Sequence, residues 1–254
     1  MLNTLTYGDA TGTPLLIVHG LFGSAKNWGA ISKRMAAKHK VIAVDLRNHG
    51  DSAHTPTHSY PDLAADLAEV IDAHGGRAHV LGHSMGGKAA MVLALTQPEM
   101  VASLLVADIA PVTYNRTQSG FIDAMESVDL TVVTKRSDAD KALMASVPDL
   151  PTRAFLTQSL DLRAEGGPRW RLNLATLRSE MPLVMGFPEM TGTYEGPTLF
   201  LRGGASDYVL PAHQGEIDRL FPSAALDEIP GVGHWLHAEA PAPFIEKLSA
   251  FLGD

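Results

Sequence analysis

The sequence predicts an α/β fold in which helices flank a mostly parallel central sheet and a helical cap is inserted into the chain. Three observations indicate this fold. Short apolar runs of strand length alternate with helical periodicity through residues 1–110 and again after residue 197. The runs are unbroken by polar residues, as in strands that are buried on both faces. From about residue 111 to residue 197 the strand pattern stops, and helical patterns follow one another.

The first half of the chain alternates strands and helices. Ser59 is placed to cap the second helix, and Pro61 suits its first turn. The predicted strands are residues 1–7, 14–18, 41–45, 79–81 and 103–107. The predicted helices are residues 27–38, 60–67 and 85–96. This alternation is typical of βαβ units, which build parallel sheets.

The second half begins with the break in the strand pattern. Four helices are predicted there, separated by proline and glycine, at residues 124–130, 139–145, 152–160 and 172–178. Strand and helix patterns then return at residues 198–201, 212–220, 225–229 and 241–252. The chain is therefore expected to consist of a core, residues 1–110 and 198–254, and an inserted cap, residues 111–197.

Composition excludes several classes of function. The 254 residues carry a formal net charge of -8, which does not favour binding to nucleic acid. The chain has no cysteine, so disulfides, thiolate nucleophiles and cysteine-ligated metals are excluded. Its first residues lack the features of a signal peptide, and no uncharged apolar stretch has the length of a membrane span. We expect a cytoplasmic protein without a membrane segment.

A candidate nucleophile lies where the fourth predicted strand meets a helix. The segment Gly82-His83-Ser84-Met85-Gly86 fits the G-x-S-x-G pattern. In this pattern glycines permit a sharp turn that holds the serine hydroxyl above the edge of the sheet, and the following helix directs its N-terminus at the same place. Ser84 is therefore the predicted nucleophile.

A serine nucleophile needs a base, and the base needs an acid to orient it. In the chain order Ser, acid, His, the base is His234, which lies in a glycine-flanked loop after the last predicted strand. Two positions for the acid stay open. Asp207 fits if Gly204 ends the preceding strand, whereas Ser206 takes the usual acid position if Gly203 ends it, and Asp108 then supplies the carboxylate.

The negative charge that develops on an ester oxygen needs two preorganised N–H donors. The residue after the nucleophile, Met85, supplies one of them. The loop that follows His19-Gly20 is expected to supply the other from Leu21, with Phe22 lining the pocket beside it.

With these residues in order, the sequence resembles the α/β-hydrolase superfamily and, within it, the YbfF-like esterases. The resemblance runs nearly end to end. It is carried by the strings His19–Trp28, Asp45–Ser52, Gly82–Lys88, Asp108–Val112 and Gly233–Glu239. It implies a carboxylic-ester hydrolase for small or short-acyl esters or thioesters that needs no cofactor. It also favours Asp108 as the acid, with Ser206 as an additional hydrogen-bond partner of His234, while Asp207 keeps the ordinary superfamily assignment open.

The predicted mechanism is ester hydrolysis through an acyl-enzyme on Ser84. The apolar acyl pocket is expected to be formed by Phe22, Met85, Trp170, Met185, Phe187, Tyr208 and Trp235. One alternative is acyl transfer or cofactor-free perhydrolysis by the same triad. The other is a hydrolase-fold binding protein without turnover, which usually lacks a catalytic residue, whereas here each has a candidate.

Overall fold

In the computed structural model, which describes residues 1–254, strands and helices alternate in the predicted order. The strands are β1 (Asn3–Tyr7), β2 (Leu15–Val18), β3 (Val41–Asp45), β4 (Ala78–His83), β5 (Val101–Ala107), β6 (Leu160–Asp161), β7 (Arg169–Trp170), β8 (Thr198–Gly203) and β9 (Ala224–Ile229). The helices are α1 (Gly29–Met35), α2 (Tyr60–Asp72), α3 (Met85–Thr96), α4 (Ser119–Glu126), α5 (Arg136–Leu143), α6 (Leu150–Thr157), α7 (Leu174–Ser179), α8 (Met181–Met185), α9 (Gln214–Leu220), α10 (Leu236–Glu239) and α11 (Pro241–Leu252). None of these helices combines the length and the apolar composition that crossing a membrane requires.

Seven strands form the central sheet in the order β1-β3-β2-β4-β5-β8-β9. Only β1 is antiparallel to its neighbour, and the other pairs are parallel. The prediction of a mostly parallel sheet is confirmed. Because the strands are parallel, their carboxyl ends meet at one edge, where loops from different parts of the chain come together.

Both faces of the sheet are buried, which explains the unbroken apolar runs. Within β2, Leu15 and Ile17 pack into the cluster on one face, and Leu16 and Val18 pack into the larger cluster on the other. Successive side chains of a strand point to opposite faces, so a strand covered on both sides must be apolar at every position.

The interval between β5 and β8 contributes no strand to the central sheet. It holds α4 to α8 and the short antiparallel ribbon of β6 and β7. We propose that residues 111–197 act as a cap over the carboxyl edge of the sheet.

Helix boundaries in this interval differ from the prediction by several residues. Asp149 accepts a hydrogen bond from the Thr152 N–H at 2.9 Å, so α6 begins two residues earlier than expected. The ribbon and α8 were not predicted. Strands of two residues are too short to show an alternating pattern, and α8 has only five residues. The predicted helix 27–38 begins as a 3-10 turn at Ala25–Trp28 and ends at Met35.

A buried lysine joins α3 to the end of α8. The Lys88 ammonium donates to the carbonyl oxygens of Met185 at 3.1 Å and Gly186 at 2.5 Å, and it lies 4.7 Å from the ring centre of Tyr114. A cation at the C-terminus of a helix compensates the partial negative charge of its last carbonyls. Burial lowers the pKa of Lys88 to about 7. The Lys88 ammonium therefore connects α3 to residues 185 and 186 of the inserted segment, and its pKa lies near neutrality.

This low pKa predicts a pH-dependent contribution to stability. An unfolded lysine titrates near 10.4, so between pH 7 and that value the unfolded chain binds more protons at this position than the folded chain. The free energy of unfolding of the wild type should therefore rise with pH relative to that of Lys88→Met, by up to about 1.4 kcal/mol per pH unit. Urea unfolding of both proteins at pH 7 and pH 9.5 measures this difference. Parallel pH dependences would mean that Lys88 titrates normally in the folded protein.

Candidate active site

The predicted nucleophile, base and acid lie on loops at the carboxyl edge of the sheet. Ser84 directly follows β4 and Asp108 directly follows β5. These two strands pair with His83 opposite Ala107, so the two residues leave the sheet at the same level. His234 lies between β9 and α10. Residues separated by as many as 150 positions are thus brought together at one edge.

The turn at Ser84 has the strained geometry of a nucleophile elbow. Ser84 has φ 53° and ψ -122°, a region that residues other than glycine rarely occupy. A side chain at Gly82 would overlap the Gly86 carbonyl, and one at Gly86 would overlap the His19 carbonyl. Glycine is therefore required at both places, and the Ser84 hydroxyl is directed outward at the N-terminus of α3.

The Ser84 hydroxyl, the His234 imidazole and the Asp108 carboxylate form a continuous hydrogen-bonded chain. Nε2 of His234 lies 3.0 Å from Oγ of Ser84. Nδ1 of His234 lies 2.7 Å from Oδ2 of Asp108. Because an ionised carboxylate only accepts, Nδ1–H donates to Asp108, and Nε2 is left with a lone pair directed at the serine. This arrangement can take the proton from the Ser84 hydroxyl.

Neighbouring groups fix the loop that carries His234. The carboxylate of Glu239 accepts from the Gly233 N–H at 2.7 Å and from the Trp235 N–H at 3.1 Å, the amides on either side of the histidine. His83 donates through Nε2–H to the His234 carbonyl at 2.9 Å. Neither Glu239 nor His83 was predicted from the sequence to be a site residue. The sequence feature that could have indicated them is that Glu239 lies in the Gly233–Glu239 string and His83 in the Gly82–Lys88 string.

Asp108 is fully buried and receives its hydrogen bonds from three parts of the chain. Besides His234, the Gly203 N–H donates to Oδ1 at 2.9 Å, and the Ser206 hydroxyl donates to Oδ2. Strand β8 ends at Gly203, so Ser206 takes the position where the superfamily usually carries its acid. The expectation that Ser206 bonds to His234 was wrong, because its hydroxyl bonds to the Asp108 carboxylate instead.

The alternative acid, Asp207, points away from the base. Its side chain is 71% exposed and forms an ion pair with Arg116 at 2.9 Å. The hydrogen bond from this guanidinium lowers the pKa of Asp207. A carboxylate in this position cannot orient the imidazole directly.

Arg116 reaches His234 indirectly, through Tyr208. The guanidinium lies 3.8 Å from the centre of the Tyr208 ring. The opposite face of that ring stacks on His234 with centroids 3.8 Å apart and planes 17° apart. Tyr208 was predicted to line the pocket, and in the structure it also limits the rotation of the base.

The two predicted oxyanion donors flank Ser84. Met85 is the first residue of α3, so its N–H has no acceptor within the helix. The Leu21 N–H makes no hydrogen bond within the protein, whereas the next amide, of Phe22, donates to Nε2 of His49 at 3.2 Å. Leu21 and Met85 both line the cavity at Ser84. Their amides are available to an oxygen bound there.

A cavity of about 270 Å³ opens at Ser84, between the sheet edge and the helices of residues 111–197. Five of the predicted pocket residues line it: Phe22, Met85, Met185, Tyr208 and Trp235. Other residues that line the cavity were not predicted, among them Phe121, Phe155 and Leu156. These side chains lie on α4 and α6, and no local sequence pattern identifies which face of either helix lines the cavity.

Two predicted pocket residues lie elsewhere. Trp170 is buried within the cap, where its indole N–H donates to the Met125 carbonyl at 3.0 Å. Phe187 packs near Tyr60, with ring centroids 6.4 Å apart, and it does not line the cavity. Both predictions were wrong: Trp170 is buried in the hydrophobic core, and the partly buried Phe187 packs against that core instead of lining the cavity. No group of three or more His, Asp or Glu side chains is arranged to hold a metal ion.

Comparison with known proteins agrees with this geometry. The sequence profile of an alpha/beta hydrolase family matches residues 15–247. The chain is 42% identical to the mouse protein named sn-1-specific diacylglycerol lipase ABHD11, over 96% of this chain and 82% of that protein. It is 34% identical to Esterase YbfF of Escherichia coli, over 95% and 94% of the two chains.

A solved structure described as a marine microorganism esterase superposes with a TM-score of 0.94, at 35% identity, and the match covers 98% of both chains. The resemblance to YbfF-like esterases is thus confirmed by overall sequence as well as by the short strings that indicated it. The fold, the nucleophile elbow and the matched relatives together show that the chain belongs to the α/β-hydrolase family.

Proposed function

We propose that this ester hydrolase cleaves carboxylic esters through an acyl-enzyme formed on Ser84. The observation that carries the proposal is the hydrogen-bonded chain from Ser84 through His234 to Asp108, with distances of 3.0 Å and 2.7 Å. A serine hydroxyl is a weak nucleophile until an oriented base removes its proton. The chain of contacts supplies that base in the required tautomer.

The first half of the reaction forms the acyl-enzyme. Oγ of Ser84 attacks the ester carbonyl while its proton passes to Nε2 of His234. The Asp108 carboxylate stabilises the resulting imidazolium, and the Leu21 and Met85 N–H groups hold the negative charge on the former carbonyl oxygen. When this intermediate collapses, Nε2–H gives its proton to the departing alcohol.

The second half returns the enzyme to its starting state. Water enters in place of the alcohol, and His234 removes a proton from it as it attacks the acyl carbon. The new tetrahedral intermediate uses the same two N–H donors. Its collapse breaks the bond to Oγ of Ser84, returns the proton to the serine and releases the carboxylic acid.

The size and lining of the cavity favour small or short-acyl esters. A volume of about 270 Å³ is slightly below the usual 300–1,000 Å³ of ligand pockets. Apolar side chains of residues 111–197, including Phe121, Leu156 and Met185, line the cavity together with Ser84. An acyl chain can bury its methylenes against them until it reaches the wall. Relatives named for cleaving diacylglycerol make acylglycerols the natural comparison substrates.

A series of p-nitrophenyl esters tests the acyl preference. We expect kcat/KM to be highest for acyl groups of about two to six carbons and at least roughly tenfold lower at about twelve carbons. Met185→Ala removes part of the wall and should shift the optimum toward longer chains. Trp170→Phe, which lies outside the cavity, is the matched control and should leave the profile unchanged. Equal rates across the series would refute the short-acyl preference but not the esterase mechanism.

A further inference from the structure

Three buried histidines lie behind the oxyanion loop and have no direct part in the proposed reaction. His19, His49 and His58 are each at most 1% exposed. The ring centroids of His19 and His49 are 5.1 Å apart, and those of His49 and His58 are 5.3 Å apart. His49 belongs to the Asp45–Ser52 string, which marks the resemblance to esterases but supplies no catalytic group.

His49 holds the amide next to the predicted oxyanion donor Leu21. Its Nδ1 lies 3.0 Å from the Arg47 carbonyl, which can only accept, so Nδ1 carries the proton. Nε2 is therefore a lone-pair acceptor, and the Phe22 N–H donates to it at 3.2 Å. Phe22 has φ 63°, in the left-handed region that is unfavourable for this residue. The contact holds the loop in a conformation that leaves the Leu21 N–H free.

His58 holds the side chain of the other predicted donor, Met85. The Asn48 side-chain amide donates to Nδ1 of His58 at 3.3 Å, so Nε2 carries the proton. Nε2 in turn lies 3.3 Å from the sulfur of Met85. This contact holds the Met85 side chain in place, and Met85 also carries the second predicted oxyanion donor, its backbone N–H.

The hydrogen bonds that His49 accepts from the Phe22 N–H and that His58 accepts from the Asn48 amide require neutral imidazoles, and the surroundings keep both rings neutral. Burial lowers the pKa of His49 well below its ordinary value, and the neighbouring His19 and His58 lower it further. Burial and the nearby Arg47 lower the pKa of His58 to about 3. A protonated His49 would be a donor at both nitrogens and could no longer accept from the Phe22 N–H.

Building on the acyl-enzyme chemistry proposed above, we propose that His49 and His58 are positioning residues for the oxyanion hole. His49 positions the Leu21 donor through the Phe22 amide, and His58 positions the Met85 donor through the Met85 side chain. Neither touches the substrate. Their loss should weaken the interactions with the transition state more than those with the bound ester.

The test combines kinetics with a transition-state mimic. Oγ of Ser84 attacks the carbonyl carbon of an alkyl trifluoromethyl ketone, and the serine proton passes to His234. The former carbonyl oxygen becomes an oxyanion between the Leu21 and Met85 amides. We expect His49→Phe to lower kcat for p-nitrophenyl acetate by about 10- to 100-fold with little change in KM, and to weaken ketone binding by a similar factor. His49→Gln restores an acceptor oxygen and should recover most of both losses.

Two further variants keep the result interpretable. His58→Leu leaves the Phe22 contact intact and should lower kcat and ketone affinity together. It therefore tests the role of His58 even if His49→Phe does not fold. His79→Gln is the control, because His79 bonds to the Ser103 hydroxyl far from the oxyanion loop and should keep wild-type values. Wild-type kcat and ketone affinity in either His49→Phe or His58→Leu would overturn the assignment of that residue. Failure of the wild type to bind the ketone at Ser84 would instead refute the proposed acyl-enzyme mechanism.

Discussion

Replacing Ser84 with Ala is expected to reduce kcat for ester hydrolysis by roughly 10⁴- to 10⁶-fold. Ser84 is the only serine whose hydroxyl lies within hydrogen-bond distance of the His234 imidazole. The variant should fold normally, because alanine removes one oxygen atom from a half-buried side chain and relieves little of the backbone strain. Initial rates with p-nitrophenyl acetate, together with a thermal melt, measure both effects.

Covalent labelling separates loss of the nucleophile from loss of the fold. A serine-directed fluorophosphonate should label the wild type once, at Ser84, and should not label Ser84→Ala. Ser103→Ala is a suitable control, because Ser103 is buried in β5 and bonds to His79, outside the site. Retention of turnover or of labelling by Ser84→Ala would rule out Ser84 as the nucleophile.

The second large effect concerns the acid. Asp108→Asn should lower kcat by roughly 10⁴-fold, because the amide can donate to Nδ1 of His234 and so favours the wrong tautomer of the imidazole. Asp207→Asn should change kcat by no more than a few-fold, since that carboxylate is exposed and pairs with Arg116. The two substitutions are chemically identical, so each controls for the other.

Ser206 provides an intermediate case for the same experiment. Ser206→Ala removes one of the hydrogen bonds to the Asp108 carboxylate but leaves the Gly203 N–H and His234 contacts in place. We expect a loss of about tenfold in kcat, in line with the net value of a hydrogen bond to a charged group. Full activity of Asp108→Asn with loss of activity in Asp207→Asn would mean that the acid comes from the loop after β8.

Residues whose roles depend on local backbone geometry were predictable from the sequence. The glycines around Ser84 predicted a sharp strand-to-helix turn, and the turn has φ 53° at the serine. The unbroken apolar runs predicted a sheet buried on both faces, which is the arrangement found. His234 was predicted from its place after the last strand, and its Nε2 lies 3.0 Å from Oγ of Ser84.

Cap residues were less predictable. Trp170 and Phe187 have the apolar character of pocket residues, but Trp170 is buried in the core, Phe187 packs against the core, and neither lines the cavity. Phe121 and Phe155 line the cavity without a sequence pattern that distinguishes them from core residues. Hydrophobicity indicates that a side chain is buried, and the packing of one helix against another decides which space it fills.

The sequence by itself determined the sheet, the elbow at Ser84 and the candidates for base and acid, because strand periodicity, glycine requirements and chain order are local properties. Only the tertiary structure shows which of the two carboxylates contacts the base. It ends β8 at Gly203, places the Ser206 hydroxyl and the Gly203 amide on the Asp108 carboxylate, and turns Asp207 toward Arg116. These contacts join residues 91 to 98 positions apart along the chain. Their partners are set by the pairing of β5 with β8, which no stretch of either strand specifies alone.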